Sequence, residues 1–301
     1  MMKRIYSLLL LLFVSQFTAS QVNFFKKSDS LNWKRSISVS TGIGLAWGGS
    51  TIGLSSIWYA HSPSSKFHTF NDSRNWLQMD KLGHFYSANK LSFFSSDLFK
   101  WSGVGKRKSI ILGSFISLGY QTTLELMDGT SDEWGFSWSD MVSNSAGIFS
   151  YAIQDFYWNE QKFLCKFSYS PTKFAAIRPT VLGSTFSERF LKDYNGQTYW
   201  MSFSPTLFFK SSKIPSWLCL SVGYSVDQKL VGNTEKYIDV NTNITYLSKR
   251  QYIFSLDIDF SKLSIKKEWL RIIVKQFNFI KIPFPALIFS NGKFTSSGFY
   301  F

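Results

Sequence analysis

Acidic residues, cysteine and histidine are all scarce in this 301-residue chain: 19 Asp and Glu stand against 33 Lys and Arg, with 3 His and 2 Cys. Two cysteines rule out a disulfide framework, and with no C-x-x-C pair or zinc-type spacing there is no basis for a structural zinc centre. No H-E-x-x-H, G-x-S-x-G or P-loop occurs, so zinc-hydrolase, serine-hydrolase and nucleotide-phosphate chemistry find no support. Internal repeats, low-complexity tracts and dense runs of like charge are missing too, which argues against solenoids and charged binding tails. Cys165 and Cys219 could form one bridge in an oxidising compartment. Cys219, set between Leu218 and Leu220, fits an inert strand position equally well.

What is present begins with an address. Lys3 and Arg4 precede an uncharged, leucine-dominated run from Ile5 to Phe17, then the small residues Thr18, Ala19 and Ser20. That run is too short to span a bilayer comfortably and reads as a secretory signal (residues 1–20), with cleavage expected after Ser20. No cysteine follows the cleavage point, so a lipid-modified N-terminus is not expected. Without Lys3 and Arg4, 31 basic residues remain against 19 acidic, a net charge of +12. After export such a surface meets phosphate head groups and lipopolysaccharide, not nucleic acid.

The remainder divides in two, predicting an α+β chain. Residues 21–160 form a Gly/Ser-rich region of four helices, and residues 161–301 an antiparallel β-rich region with barrel-like character. Residues 36–65 carry no Asp, Glu, Lys or Arg, and 41–60 contain five glycines among Ile, Leu and Trp. That segment is long enough for a membrane helix, or for one packed closely against others. Residues 79–101 read as an amphipathic helix stopped by Gly103 and Gly105. Residues 109–124 and 141–153 are apolar helices too short to span. Strand-like alternation follows over 198–209, 217–226 and 251–260, with Asp257 and Asp259 on the polar face of the last. Residues 266–280 read as one more helix. The final segment, 294–301, ends in Phe301 and resembles the targeting signal of outer-membrane barrel proteins, although Thr295 and Ser297 depart from it. About six strands fall below the eight of the smallest bacterial barrel, which favours peripheral or partner-mediated association with the outer membrane.

Three short stretches concentrate the polar chemistry: Asp80-Lys81-Leu82-Gly83-His84, Glu125-Leu126-Met127-Asp128-Gly129, and Ser137-Trp138-Ser139-Asp140 with Asn144 and Gly147. On helices, Asp80 and His84 share a face, as do Asp140 and Asn144. Antiparallel folding brings all three stretches to one end of the bundle. Ser137 with Asp140 has the form of a helix N-terminal cap. Glu125 is different. At a helix C-terminus it opposes the macrodipole with Asp128 beside it, so Lys81, protonated His84 or a bound cation should compensate it. His61 and His68, in the loop near Pro63, are expected in solvent.

The motifs DKLGHF, ELMDG and GFSWSDMVSNSAG resemble the YfiM-like family of uncharacterised bacterial envelope proteins. More distantly they resemble VanZ-type membrane proteins, with their D-K-x-x-H start and D-x-x-x-N-x-x-G. The resemblance covers about residues 40–160 and implies an envelope address and a shared polar site, not a reaction. YfiM-like proteins are often lipoproteins, and VanZ-type proteins lack a β-rich half.

The expected function is that of an exported envelope protein, outer membrane-associated or periplasmic, with a structural or lipid/glycan-binding role. Its expected partners are membrane, phosphate-bearing lipid or glycan, and other envelope proteins. Its polar site is Asp80, Lys81, His84, Glu125, Asp128, Asp140 and Asn144. No cofactor is expected; a divalent cation on His84, Glu125 and Asp128 is the one such group those side chains could hold. Two alternatives stand beside this reading. One is a hydrolase or transferase acting on envelope lipid or cell-wall precursor through His84 and Glu125. The other is an inner-membrane helical protein with a periplasmic β domain.

Overall fold

The computed structural model describes residues 24–59, 64–209 and 213–301. The signal segment and its cleavage point lie outside these residues, as does His61.

Four long helices come first: α1 (Trp33–Trp58), α2 (Met79–Trp101), α3 (Lys106–Asp128) and α4 (Trp138–Trp158). Their ends follow local chemistry. Asn32 caps α1, its side chain accepting from the Arg35 amide, and Ser137 caps α4 by accepting from the Asp140 amide at 3.1 Å. Beyond α2, Gly103 takes φ +86°, a conformation a side chain resists, and a Cβ there would lie 2.0 Å from the Ser30 carbonyl oxygen.

Helices α2, α3 and α4 pack through small and polar residues. Their buried residues include Ala88, Asn89, Ser92, Ser95 and Ser96 on α2, Ser109, Gly113, Ser117 and Gln121 on α3, and Asn144, Gly147 and Gln154 on α4, with Phe99, Ile110 and Tyr151 as the larger members. Larger apolar side chains such as Ile111, Phe115, Val142 and Phe149 point outward. Gly147 shows how close the packing is, since a Cβ on it would sit 2.1 Å from the Phe85 carbonyl oxygen. Gly147→Ala is therefore expected to push α2 and α4 apart and cost about 1–3 kcal/mol, read as a lowered thermal midpoint. An unchanged midpoint would show the interface to be slack. No helix among the described residues is long and apolar enough to cross a membrane; residues 41–58 of the glycine-bearing segment are part of α1.

The second half is a six-stranded antiparallel sheet built from β1 (Phe163–Tyr169), β2 (Gln197–Phe203), β3 (Leu218–Asp227), β6 (Lys249–Ile258), β7 (Phe284–Ser290) and β8 (Lys293–Tyr300). The order is β1-β2-β3-β6-β7-β8, and the sheet is open, not a closed barrel. A two-stranded hairpin, β4 (Lys236–Ile238) with β5 (Thr245–Leu247), stands apart. Short helices α5 (Phe174–Ile177), α6 (Pro179–Leu182) and α7 (Phe186–Lys192) fill the β1–β2 connection, and α8 (Glu268–Gln276) the β6–β7 connection.

The buried face of the sheet joins an apolar cluster of Trp200, Ile253 and Ala286 to a polar patch. Lys166 and Asp257, both with fully buried side chains, pair at 2.9 Å, and Ser202 donates to Asp257. The polar face expected for Asp257 and Asp259 is thus the buried one. Cys165 and Cys219 are buried and free. They sit on β1 and β3 with β2 between them, so their strands are ~10 Å apart, beyond the reach of a disulfide. The outer face of β1 and the start of β2 carries the helices, through Tyr86 against Phe167 and Tyr199.

Candidate functional site

The first turns of α2, the last turn of α3 and the first turns of α4 meet at one end of the bundle. Asp80, Lys81, His84, Glu125, Asp140 and Asn144 converge there, joined by Asp72 from the loop before α2. Lys81 is the hub. Its ammonium lies 2.7 Å from Asp72, 2.9 Å from Asp80 and 2.6 Å from Asp140. Burial works against its charge, but Asp80 and Asp140 outweigh that and raise its pKa.

His84 sits one turn further along α2. Its Nε2 is 3.7 Å from Asp80 and 3.8 Å from Asp140, while Nδ1 is 3.5 Å from Glu125 and 3.2 Å from the Asn144 side-chain oxygen. Burial would lower its pKa, but Asp80, Asp140 and Glu125 prevail and lift it to about 9. An imidazolium there donates from both nitrogens. Glu125 is fully buried, and one of its oxygens accepts from the Ser137 amide at 3.2 Å. Burial drives its pKa up to about 8, against the pull of His84. His84 is therefore the group that compensates this carboxyl at its unfavourable helix end. Burial, with Asp80 next, raises Asp140 to about 7. Asp72 goes the other way: burial would raise it, but bonds from Lys81 and Ser137 hold it below the usual range.

Asp128 turns away from the cluster and accepts a short hydrogen bond from the Tyr59 hydroxyl, just past α1. Burial raises its pKa to about 6. Of the expected ligand trio, His84 and Glu125 lie 3.5 Å apart and Asp128 is held by Tyr59. Among the described residues, the metal-ligating side chains that come within 4.8 Å of one another are Asp80, His84 and Asp140. A divalent ion at that point would face the Lys81 ammonium and the His84 imidazolium. The protein's own cations already stand where such an ion would compensate the carboxylates.

The cluster floors a cleft of about 350 Å³. Its walls are aromatic: Trp58, Tyr59, Phe70, Trp76, Trp134 and Tyr194. Tyr194 donates to Asp80 at 3.0 Å and packs on Trp76, and Trp58 meets Trp134 edge-on. The charged lining is mostly acidic, with Asp72, Asp80, Asp128, Glu133 and Asp140 against His84 and Lys192. His68, expected in solvent, is half-buried with Nε2 2.8 Å from the Trp134 carbonyl oxygen, bracing that wall.

The entry to α2 is strained. Trp76, Leu77 and Gln78 all have positive φ, at 51°, 52° and 66°. Such a run in residues with side chains persists only when its surroundings hold it. Here the sheet does so. Tyr224 on β3 donates to the Leu77 carbonyl at 2.6 Å, and Arg250 on β6 donates to the same carbonyl and to the Gln78 side chain at 2.7 Å.

Asp72, Tyr59, Trp76 and Tyr194 were not legible as site residues. The Asn71-Asp72-Ser73 turn offers no helical spacing, and Tyr194 lies 114 residues from its partner Asp80. Their one sequence signal is the high aromatic content of the flanking loops.

Residues 68–154 match a family described as "Predicted periplasmic lipoprotein (DUF2279)". The match covers the loop with His68 and helices α2 to α4, and thus the whole three-motif cluster. No curated protein and no solved structure matches the chain. The match supports an uncharacterised envelope domain with a periplasmic or envelope location. The lipid-bearing cysteine of a lipoprotein has no counterpart in Cys165 or Cys219, both of which are buried in the sheet.

Proposed function

We propose that this chain is a non-enzymatic envelope protein, placed at the outer membrane, that binds an envelope glycan in the cleft above Asp80, His84 and Asp140. The observation that carries the reading is the cleft itself, aromatic walls over a floor of preorganised carboxyls. Aromatic faces present the negative side of their quadrupole to the polarised C–H groups of a sugar ring or to an amine. The carboxyls accept from hydroxyls, and their fixed partners leave little reorganisation to offset binding. An acid-rich lining disfavours phosphate, so a neutral or amine-bearing sugar fits better than the phosphate-bearing headgroup that net charge alone suggests. The YfiM-like and VanZ-like likenesses rest on the same three motifs and are compatible with this role.

Trp58, Trp76 and Trp134 make the test direct. Titration with a soluble peptidoglycan fragment should change tryptophan emission saturably. Asp80→Asn should weaken binding by about 10-fold, the loss of one charge-assisted hydrogen bond. A flat titration across peptidoglycan and lipopolysaccharide core sugars would sink the proposal.

One observation favours a second reading, acid–base catalysis on the same glycan. His84 and Asp140 line the cleft 3.8 Å apart, and Glu125 stands behind them, 3.5 Å from the other nitrogen of His84, so that a proton could pass from the buried carboxyl to the cleft. Turnover of the bound fragment, abolished by Glu125→Gln, would replace the binding role with a hydrolytic one.

A further inference from the structure

The second half of the molecule reverses the patterning of a water-soluble sheet. Along β3, Cys219, Ser221, Gly223 and Ser225 are buried, while Leu220 and Val222 are 42% and 41% exposed. Along β6, Ile253 and Asp257 are buried, while Tyr252, Phe254 and Leu256 are 43%, 49% and 41% exposed. Met201 on β2 and Leu287 on β7 continue the exposed row. Val222 lies directly opposite Phe254 and Leu220 opposite Leu256, so these side chains form one continuous apolar surface. A soluble sheet buries such a row and solvates its serines; a sheet facing lipid does the opposite.

The dimensions agree with a lipid face. β3 and β6 each have ten residues, within the span of a membrane-crossing strand. The apolar positions from Leu218 to Tyr224 rise ~20 Å, close to the ~25 Å apolar band of outer-membrane barrels. Beyond Tyr224 the face is covered by the entry to α2, where Val226 packs with Leu77 and Met79 and Arg250 donates to the Leu77 carbonyl. The band thins toward the open sheet edge, where exposed Phe294 and Phe299 stand among the serines and threonine of β8. On β8 the row continues only at Phe294, which packs on Phe289, and gives way to Ser296 opposite Leu287.

The opposite rim supplies charge. The connections at the other strand ends hold exposed Phe208, Phe209 and Trp217, and α8. Helix α8 has no buried residue. Trp269, Leu270, Ile272 and Ile273 fall on one side, and Lys267, Arg271 and Lys275 on the other, which is the form of a helix lying in a membrane interface. Within residues 263–276, Lys266, Lys267, Arg271 and Lys275 stand against a single acid, Glu268, and Lys275 also lies 3.7 Å from Asp97 of α2. This rim complements anionic headgroups, and its excess of cations works against pairing of two copies.

We propose that the outward face of β2, β3, β6 and β7, with α8 at its rim, docks against the hydrocarbon of a bilayer that carries anionic headgroups. The cleft plays no part in this inference, and a failure of either reading leaves the other standing. Outer-membrane fractionation reports the address, whereas the following test reports the surface with purified full-length chain and vesicles.

The test places a bimane label on Val222→Cys, Phe254→Cys or Asn241→Cys, the last on the distant β4–β5 turn. Vesicles of phosphatidylethanolamine and phosphatidylglycerol with brominated acyl chains then serve as quencher. Quenching at 222 and 254, with several-fold less at 241, is the expected result. No quenching at 222 and 254, or equal quenching at all three, would overturn the proposal. In flotation, the V222K/F254K variant should lose roughly 100-fold or more of its vesicle partitioning. Both side chains are already solvent-facing, and unchanged near-UV dichroism will show the fold retained. Flotation of that variant equal to the parent's would also overturn it.

Discussion

Lys81→Met should destabilise the protein by about 3–5 kcal/mol, the cost of removing one partner from a buried ionic cluster. The lysine stem is replaced by a side chain of similar length, so the change isolates the charge. Asp72, Asp80 and Asp140 would then face one another with His84 as their nearest cation. The protein would take up protons at those carboxyls or lose the packing of the three helix ends. In a domain of this size the loss amounts to roughly 10 °C in thermal midpoint. Glycan binding should fall with it, because the floor of the cleft loses its fixed geometry. A midpoint within a degree or two of the parent's would show the cluster to be solvated and the burial of Lys81 to be of no consequence.

Stability should also fall as pH rises from about 5 to 8, opposite to the usual behaviour of a salt-bridged carboxylate. Glu125 is raised from 4.5 to about 8, Asp140 from 3.8 to about 7 and Asp128 from 3.8 to about 6, each first by burial. His84 is raised from 6.5 to about 9, its carboxylate neighbours overcoming burial. In every case the folded state binds a proton more tightly than the unfolded state. Each contribution is complete below the unfolded pKa and is lost as pH climbs through the folded one. Asp72, held low by Lys81 and Ser137 against its burial, acts oppositely, but only in acid. Burial depresses Lys90, Lys229 and Lys281 to about 8, and they favour the folded state only from there upward. The window from 5 to 8 is therefore governed by the raised groups, with a loss of ~2–4 kcal/mol expected. Urea midpoints at three pH values across the window will measure it. Glu125→Gln should flatten the slope, and a midpoint that rises with pH would show these carboxyls ionised in the folded state.

The helices were readable because capping and breaking residues mark them. Residues 79–101 coincide with α2, and Ser137 and Gly103 sit where local chemistry places them. The apolar cores 109–124 and 141–153 fall inside α3 and α4, which run further because their terminal turns carry site residues whose partners lie on other helices. Strand β1 escaped notice because Lys166 interrupts its apolar run, and that lysine is paired with Asp257, 91 residues later in sequence. The same non-locality hid the sense of the sheet. Alternation along β6 distinguishes two faces but cannot say which is inside, and here the serines and aspartates are. At the site, the acids spaced along helices could be grouped from sequence, whereas Asp72, Tyr59 and Tyr194 arrive from loops where no periodicity exists to be read.

The left-handed turn at Trp76–Gln78 has a consequence for how the molecule is made. Its restraints come from Tyr224 and Arg250, the latter separated from Leu77 by 173 residues. Closing so long a loop is slow, and contacts of this separation form late in folding. During synthesis the three helix ends, with all their acids, leave the ribosome well before the strands that fix the turn. Until the sheet closes, the strained entry to α2 is free to relax and the cleft lacks Tyr194 as a wall. A nascent chain ending near residue 160 would hold the charges of the site without its shape.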